Sequence, residues 1–114
     1  MSAITTHVLD LSTGKPAAGV AVVLERRVAD GAWNVVGERR TDADGRARDF
    51  HAAGRALEAG VHRLAFATGA YFAMRQVASF HPSVTIEFTV ADAAQHHHVP
   101  LLLSPFGYST YRGS

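Results

Sequence analysis

No cysteine occurs in the chain, which excludes a disulfide scaffold and a thiol nucleophile and leaves the compartment open. Lysine occurs once, as Lys15; the other ten basic residues are arginines scattered along the chain, and the formal net charge is +1. So small and dispersed a charge gives no reason to expect nucleic acid or a membrane surface as partner, both of which favour clustered Lys and Arg. No stretch approaches the roughly 18 apolar residues of a membrane span. The start, Met1 to His7, lacks the basic and apolar segments of a signal peptide, so a cytoplasmic protein is the simplest expectation. Also missing are a Gly-x-Ser-x-Gly elbow, a P-loop, a dinucleotide fingerprint, internal repeats and low-complexity linkers. Residues 1–114 are therefore read as a single domain, with one buried core and not two. With 47% of its residues apolar and 18% charged, the chain has enough to bury and is not compositionally disordered.

Period-two alternation is the pattern that is present. Between Ile4 and Leu11 it sorts Thr5, His7, Leu9 and Leu11 onto one face and Ile4, Thr6, Val8 and Asp10 onto the other. After the break at Gly14-Lys15-Pro16, the β-branched run from Val20 to Val28 predicts a second strand returning beside the first. Asp30-Gly31 marks a hairpin, Trp33 to Arg40 a third strand, and Thr41 to Gly45 a further turn before a short segment, Arg46 to Phe50. Ala52 to Gly60 has no period and reads as loop. Val61 to Thr68 alternates again, Gly69 to Val77 favours about two turns of helix, and Pro82 closes that connection. Val84, Ile86, Phe88 and Val90 give the cleanest alternation in the chain. Two terminal strands follow, joined at Ser104-Pro105-Phe106-Gly107, with proline and glycine at the turn positions that favour them. Seven or eight short strands and one small helix predict an all-β, antiparallel sandwich of two sheets.

Three polar constellations stand out. His96-His97-His98 would place His96 and His98 on one face of a strand and His97 on the other. Such a pair can begin a zinc site, with His7 as a third nitrogen, but no acidic partner is evident, and a solvated or core-edge histidine run is the plainer reading. Asp42-Ala43-Asp44-Gly45 has the look of a calcium loop, yet its glycine comes too early and its twelfth position is Ala53, so a turn built from Asp and Gly fits better. The ending, Tyr111-Arg112-Gly113-Ser114, carries more chemistry than a fraying terminus needs.

These features fall in an order that resembles one family. Thr6-His7-Val8-Leu9-Asp10 with Gly14-Lys15-Pro16-Ala17, then Arg40-Thr41-Asp42-Ala43-Asp44-Gly45-Arg46, then Tyr71-Phe72 with Pro82, Val84, Ile86 and Phe88, and finally His98-Val99-Pro100-Leu101 with the terminal Tyr-Arg-Gly-Ser, are similar to the transthyretin-related family of 5-hydroxyisourate hydrolases. The chain departs from that pattern at His97 and His81, where the family commonly has an aromatic, and at Asp42, where it often has Asn. The resemblance implies a transthyretin-like (prealbumin-like) sandwich of two four-stranded sheets. It also implies a homotetramer, a dimer of dimers, with sites in a channel between dimers. The implied reaction is hydrolysis of a cyclic amide C–N bond, converting 5-hydroxyisourate to 2-oxo-4-hydroxy-4-carboxy-5-ureidoimidazoline in urate degradation, with no metal or organic cofactor. His7, Arg46 and His98 match the catalytic positions, and Tyr111, Arg112, Gly113 and Ser114 the residues that shape the same pocket. Which histidine is the base, and whether Ser114 acts through its hydroxyl or its carboxylate, stay open. The chemistry suits the residues: histidine supplies a base near neutral pH, and a fixed guanidinium can stabilise charge on a carbonyl oxygen. A carrier that binds a small aromatic ligand without turning it over is the competing expectation, and a sandwich with no site at all is the third.

Overall fold

The computed structural model describes residues 4–114. Its strands are β1 (Ile4–Asp10), β2 (Lys15–Pro16), β3 (Ala21–Arg27), β4 (Trp33–Arg40), β5 (Arg46–Ala47), β6 (Gly60–Phe66), β7 (Val84–Val90), β8 (His97–Ser104) and β9 (Gly107–Thr110), with one helix, α1 (Thr68–Met74), after β6. One sheet runs β2-β1-β8-β9, with β5 also paired to β1; the other runs β4-β3-β6-β7. This is the expected all-β sandwich with one short helix. Helix α1 stops three residues earlier than the composition suggested, because Gln76 takes a left-handed backbone (φ 60) that no α-helix continues through.

Alternation decides which side of each strand meets the core. Ile4 and Val8 on β1, Val99, Leu101 and Leu103 on β8, Val22 and Leu24 on β3, Leu64 and Phe66 on β6, and Val84, Ile86 and Val90 on β7 face one another between the sheets. Phe50, Leu57 and Phe72 complete the core from outside the strands. The polar residues on the buried face of β1 are satisfied: Thr6 Oγ1 donates to the Val99 carbonyl at 2.6 Å, and Asp10 accepts from the Tyr71 hydroxyl at 2.8 Å and from Ser12. Burial alone would raise the Asp10 carboxyl, but the Ser12 and Tyr71 hydrogen bonds outweigh it and hold the group below its ordinary value. Tyr71 responds the other way, pushed up to about 12 by burial and by that carboxylate. This contact fastens α1 to the end of β1.

Two pairings differ from the sequence expectation. Strand β3 does not return beside β1; it pairs with β4 and β6 in the opposite sheet. The edge of β1 that it would have used is already filled, by β2 opposite Leu9 and Asp10 and by β5 opposite Thr6 and His7. The other edge of β1 carries β8, and that pair runs parallel, so the first sheet is mixed and not wholly antiparallel. The parallel register sets Thr5 beside His98, and the antiparallel one sets His7 opposite Arg46. Both pairings bring chemistry-bearing side chains to the outward face of the same sheet.

Candidate active site

The local chain around Arg46 is held by its own turn. Asp42 Oδ1 accepts the backbone N–H groups of Asp44 (2.9 Å) and Arg46 (3.0 Å), and the Arg46 bond is the largest reason that the carboxyl lies below its usual value. An asparagine oxygen could accept the same two bonds, so the Asp at this position keeps the turn intact. Gly45 has φ +75 and its carbonyl accepts Val8 N–H at 2.7 Å; a Cβ there would lie 2.5 Å from the Val8 oxygen. Only glycine allows the turn to sit this close to β1 and deliver Arg46 across from His7.

On the far side of β1, His98 is gripped from two directions. Thr5 Oγ1 lies 2.7 Å from its Nδ1 and 2.8 Å from His96 Nε2, bridging the two imidazoles. Gly113 N–H donates to the His98 carbonyl at 2.8 Å, and a Cβ at Gly113 would come within 2.5 Å of His98 Cδ2. The chain end thus folds back over this ring only because residue 113 has no side chain. Burial first, then the influence of His96, Arg46 and His7, push His98 below the ordinary histidine value, which favours its neutral imidazole form. A hollow of about 280 Å³ opens above this face, lined by Thr5, Thr6, Arg46, Ala47, Arg48, His96, His98 and Ser114. Larger hollows of about 340 and 450 Å³ flank the 49–58 segment and include none of the predicted site residues.

Of the residues singled out from the sequence, Arg46, His98 and Ser114 line this hollow, Gly113 packs on the His98 ring, and His7 stands opposite Arg46 and close enough to influence His98. Tyr111 and Arg112 turn the other way within this chain, into a separate hollow of about 280 Å³ with Phe88, His97 and Val99. From there the Arg112 guanidinium donates to Gln95 Oε1 (3.1 Å) and to the His96 carbonyl (3.3 Å), bracing the segment that carries His96. His97 is buried on the opposite face from its neighbours, as alternation requires, its Nδ1 on the Gln95 carbonyl at 2.9 Å. His81 sits edge-on between Phe80 and Tyr108, at 4.9 and 5.2 Å between ring centroids, and so packs as an aromatic would. Among the described residues no group of three His, Cys, Asp or Glu side chains is arranged to hold a metal ion. Thr5 and Arg48 were not singled out in advance, nor was the hydrogen bond that ties exposed His96 to Thr5. The signal for Thr5 was its place on the His7 face of the first strand.

A family model described as the HIUase/Transthyretin family matches residues 4–113. A 5-hydroxyisourate hydrolase of Caulobacter vibrioides is 50% identical over 119 aligned positions, covering 100% of each chain. The solved 5-hydroxyisourate hydrolase of Klebsiella pneumoniae superposes with a TM-score of 0.85 at 40% identity, again over 100% of both chains. Sea bream transthyretin in complex with thyroxine superposes with a TM-score of 0.89 at 32% identity, over 96% of this chain and 93% of that one.

Proposed function

Because the chain belongs to the HIUase/Transthyretin family, we propose that it hydrolyses 5-hydroxyisourate in urate degradation. The observation that carries this reading is the His98 imidazole packed under Gly113 on the same sheet face as His7 and Arg46. A histidine takes a proton from water as the water oxygen bonds to the lactam carbonyl carbon. Negative charge then moves to the carbonyl oxygen, where the Arg46 guanidinium stabilises it through charge-assisted hydrogen bonds. The ring C–N bond breaks, and the proton returns from the histidine to the departing nitrogen. His7, beside Arg46, helps to hold the flat, oxygen-rich ring, and Ser114 contributes at the rim. No metal or organic cofactor takes part in this scheme.

The fold alone does not separate catalysis from carriage, since a thyroxine-bound transthyretin superposes as well as a hydrolase does. The lining of the hollow separates them. Two arginines, two histidines and a hydroxyl-bearing chain end suit a polar heterocycle, and covering them with a largely apolar ligand would cost about 1 to 3 kcal/mol for each group buried without a partner. Tyr111 and Arg112 enter the proposal as residues that shape the pocket, Arg112 through its hold on the His96 segment. We further propose a cytoplasmic homotetramer, a dimer of dimers. The outer edges of β7 and β9 have no strand partner among the described residues, and Leu11, Phe106 and Tyr108 are exposed. The test is to generate 5-hydroxyisourate in situ from urate and follow its ultraviolet decay. Accelerated decay with catalytic amounts of protein supports the hydrolase; saturable binding with an unchanged decay rate supports the carrier and overturns it.

A further inference from the structure

We propose that Thr5 is a positioning residue for the hydrolysis, setting which nitrogen of His98 is free to act as base and coupling that choice to His96. The inference rests on the hydrolase reading and names, within it, the base and the group that orients it. Thr5 Oγ1 is within hydrogen-bond distance of both His98 Nδ1 (2.7 Å) and His96 Nε2 (2.8 Å). A hydroxyl has one hydrogen, so with both imidazoles neutral it donates to one ring and accepts from the other. The two rings are therefore not independent.

Two arrangements satisfy that constraint, and only one leaves a base. If Thr5 donates to His98 Nδ1, the His98 proton sits on Nε2 and that ring has no lone pair left for water. If His98 Nδ1–H donates to Thr5 and Thr5 donates to His96 Nε2, the lone pair of His98 lies on Nε2, which makes no hydrogen bond to the described residues. The second arrangement is the reactive one, and its tautomer is fixed by the bond at the other nitrogen. It also gives a route of balanced charge when His98 has taken a proton from water. The Nδ1 proton passes to Thr5 oxygen and the Thr5 proton to His96 Nε2, leaving His98 neutral with its proton on Nε2; as that proton goes to the departing nitrogen, His96 returns its Nε2 proton to Thr5 and Thr5 returns one to His98 Nδ1, so both rings end neutral in their starting tautomers. His96 is exposed, so water stabilises the charge it holds in between.

The surroundings favour this direction of transfer. His98 is faced by His7 and Thr5 from β1, by Arg46 from β5 and Arg48 just beyond it, by His96 from the segment before β8, and by Ser114 from the chain end. A second positive charge next to Arg46 is costly, and His96 is the neighbouring ring that opens to water. The register leaves no choice of contact, because the β1 to β8 pairing sets Thr5 directly beside His98.

Thr5→Val keeps the β-branched shape that a strand favours and removes only the hydroxyl. We expect kcat to fall about tenfold with KM within about twofold, because the lost group acts on the base and not on ground-state binding. The acid limb of the pH–rate profile should move as well, and Thr5→Ser should restore kcat to within about threefold of the parent. An unchanged kcat and profile in Thr5→Val, or equal losses in the Val and Ser variants, would overturn the proposal. A readout on the unaltered protein without substrate covers a Val variant that fails to fold: imidazole nitrogen NMR above the His98 titration should find its proton on Nδ1, and finding it on Nε2 would overturn the assignment. That measurement does not use turnover, so an inactive parent protein would count against the hydrolase reading and leave the Thr5 test separate.

Discussion

At Gly113 a missing side chain does the positioning. A Cβ there would meet His98 Cδ2 at 2.5 Å, and the glycine lies after the last strand, where its substitution touches no core residue. Gly113→Ala should therefore keep the thermal midpoint while displacing the His98 ring, with kcat/KM down at least about tenfold, as small misplacements of catalytic groups cost. A purely structural glycine would show the reverse, a lower midpoint with normal turnover per folded molecule. His62 tests the residue scale differently. It is fully buried on β6, its Nδ1 at 3.1 Å from the Gly60 carbonyl and its Nε2 without a partner, and its ring stacks on Phe88. Burial first, then the charges of Arg26, His51 and His97, hold it below the ordinary value of 6.5 despite the Gly60 bond. The folded state then binds fewer protons than the unfolded one, so His62 contributes stability above pH 6.5 that is lost as pH falls through and below it. Urea denaturation at a series of pH values should show stability declining below that point, with a shallower decline in His62→Phe. The motifs that contain His7, Arg46 and His98 were legible in the sequence because they fall in a fixed order. Thr5 was not, since a threonine on a strand is ordinary until its hydroxyl is seen between two imidazoles.

One turn and one helix anchor carry the elements. The Asp42 turn should accept Asn with little change in kcat/KM, because the amide oxygen can take the Asp44 and Arg46 N–H bonds, whereas Asp42→Ala should lower it by loosening the backbone beneath Arg46. Equal activity in the two variants would mean that the turn does not position the guanidinium. At the helix, Tyr71→Phe removes the hydroxyl that donates to the buried Asp10 carboxylate and should cost about 1 to 3 kcal/mol of stability by urea titration. Alternation revealed the two faces of β1 and β6, because a period of two is a local property of the chain. It could not reveal the partner of β3, which depends on β2 and β5 occupying the β1 edge first. Nor could it show that β8, some ninety residues away, lies parallel to β1. The orientation of Tyr111 and Arg112 escaped for a related reason: β9 ends at Thr110, and beyond it the strand period no longer applies.

For the whole molecule, the sandwich brings a face built from β1, β5, β8 and the chain end to a hollow, and leaves the outer edges of β7 and β9 unpaired among the described residues. Light scattering should report four chains per particle, and a fully active monomer would contradict the proposed assembly. The membrane question is narrower: no helix among the described residues is long and apolar enough to cross a bilayer. In the proposed mechanism this hollow turns over 5-hydroxyisourate with His98 as the proton-handling group. The most direct measurement is kcat/KM on substrate generated in situ, for the parent protein and His98→Asn side by side, with thermal midpoints recorded for both. The account predicts a loss of at least about 100-fold in the variant, as expected for removal of a general base, at an unchanged midpoint. Near-parental turnover in a folded His98→Asn protein would contradict it.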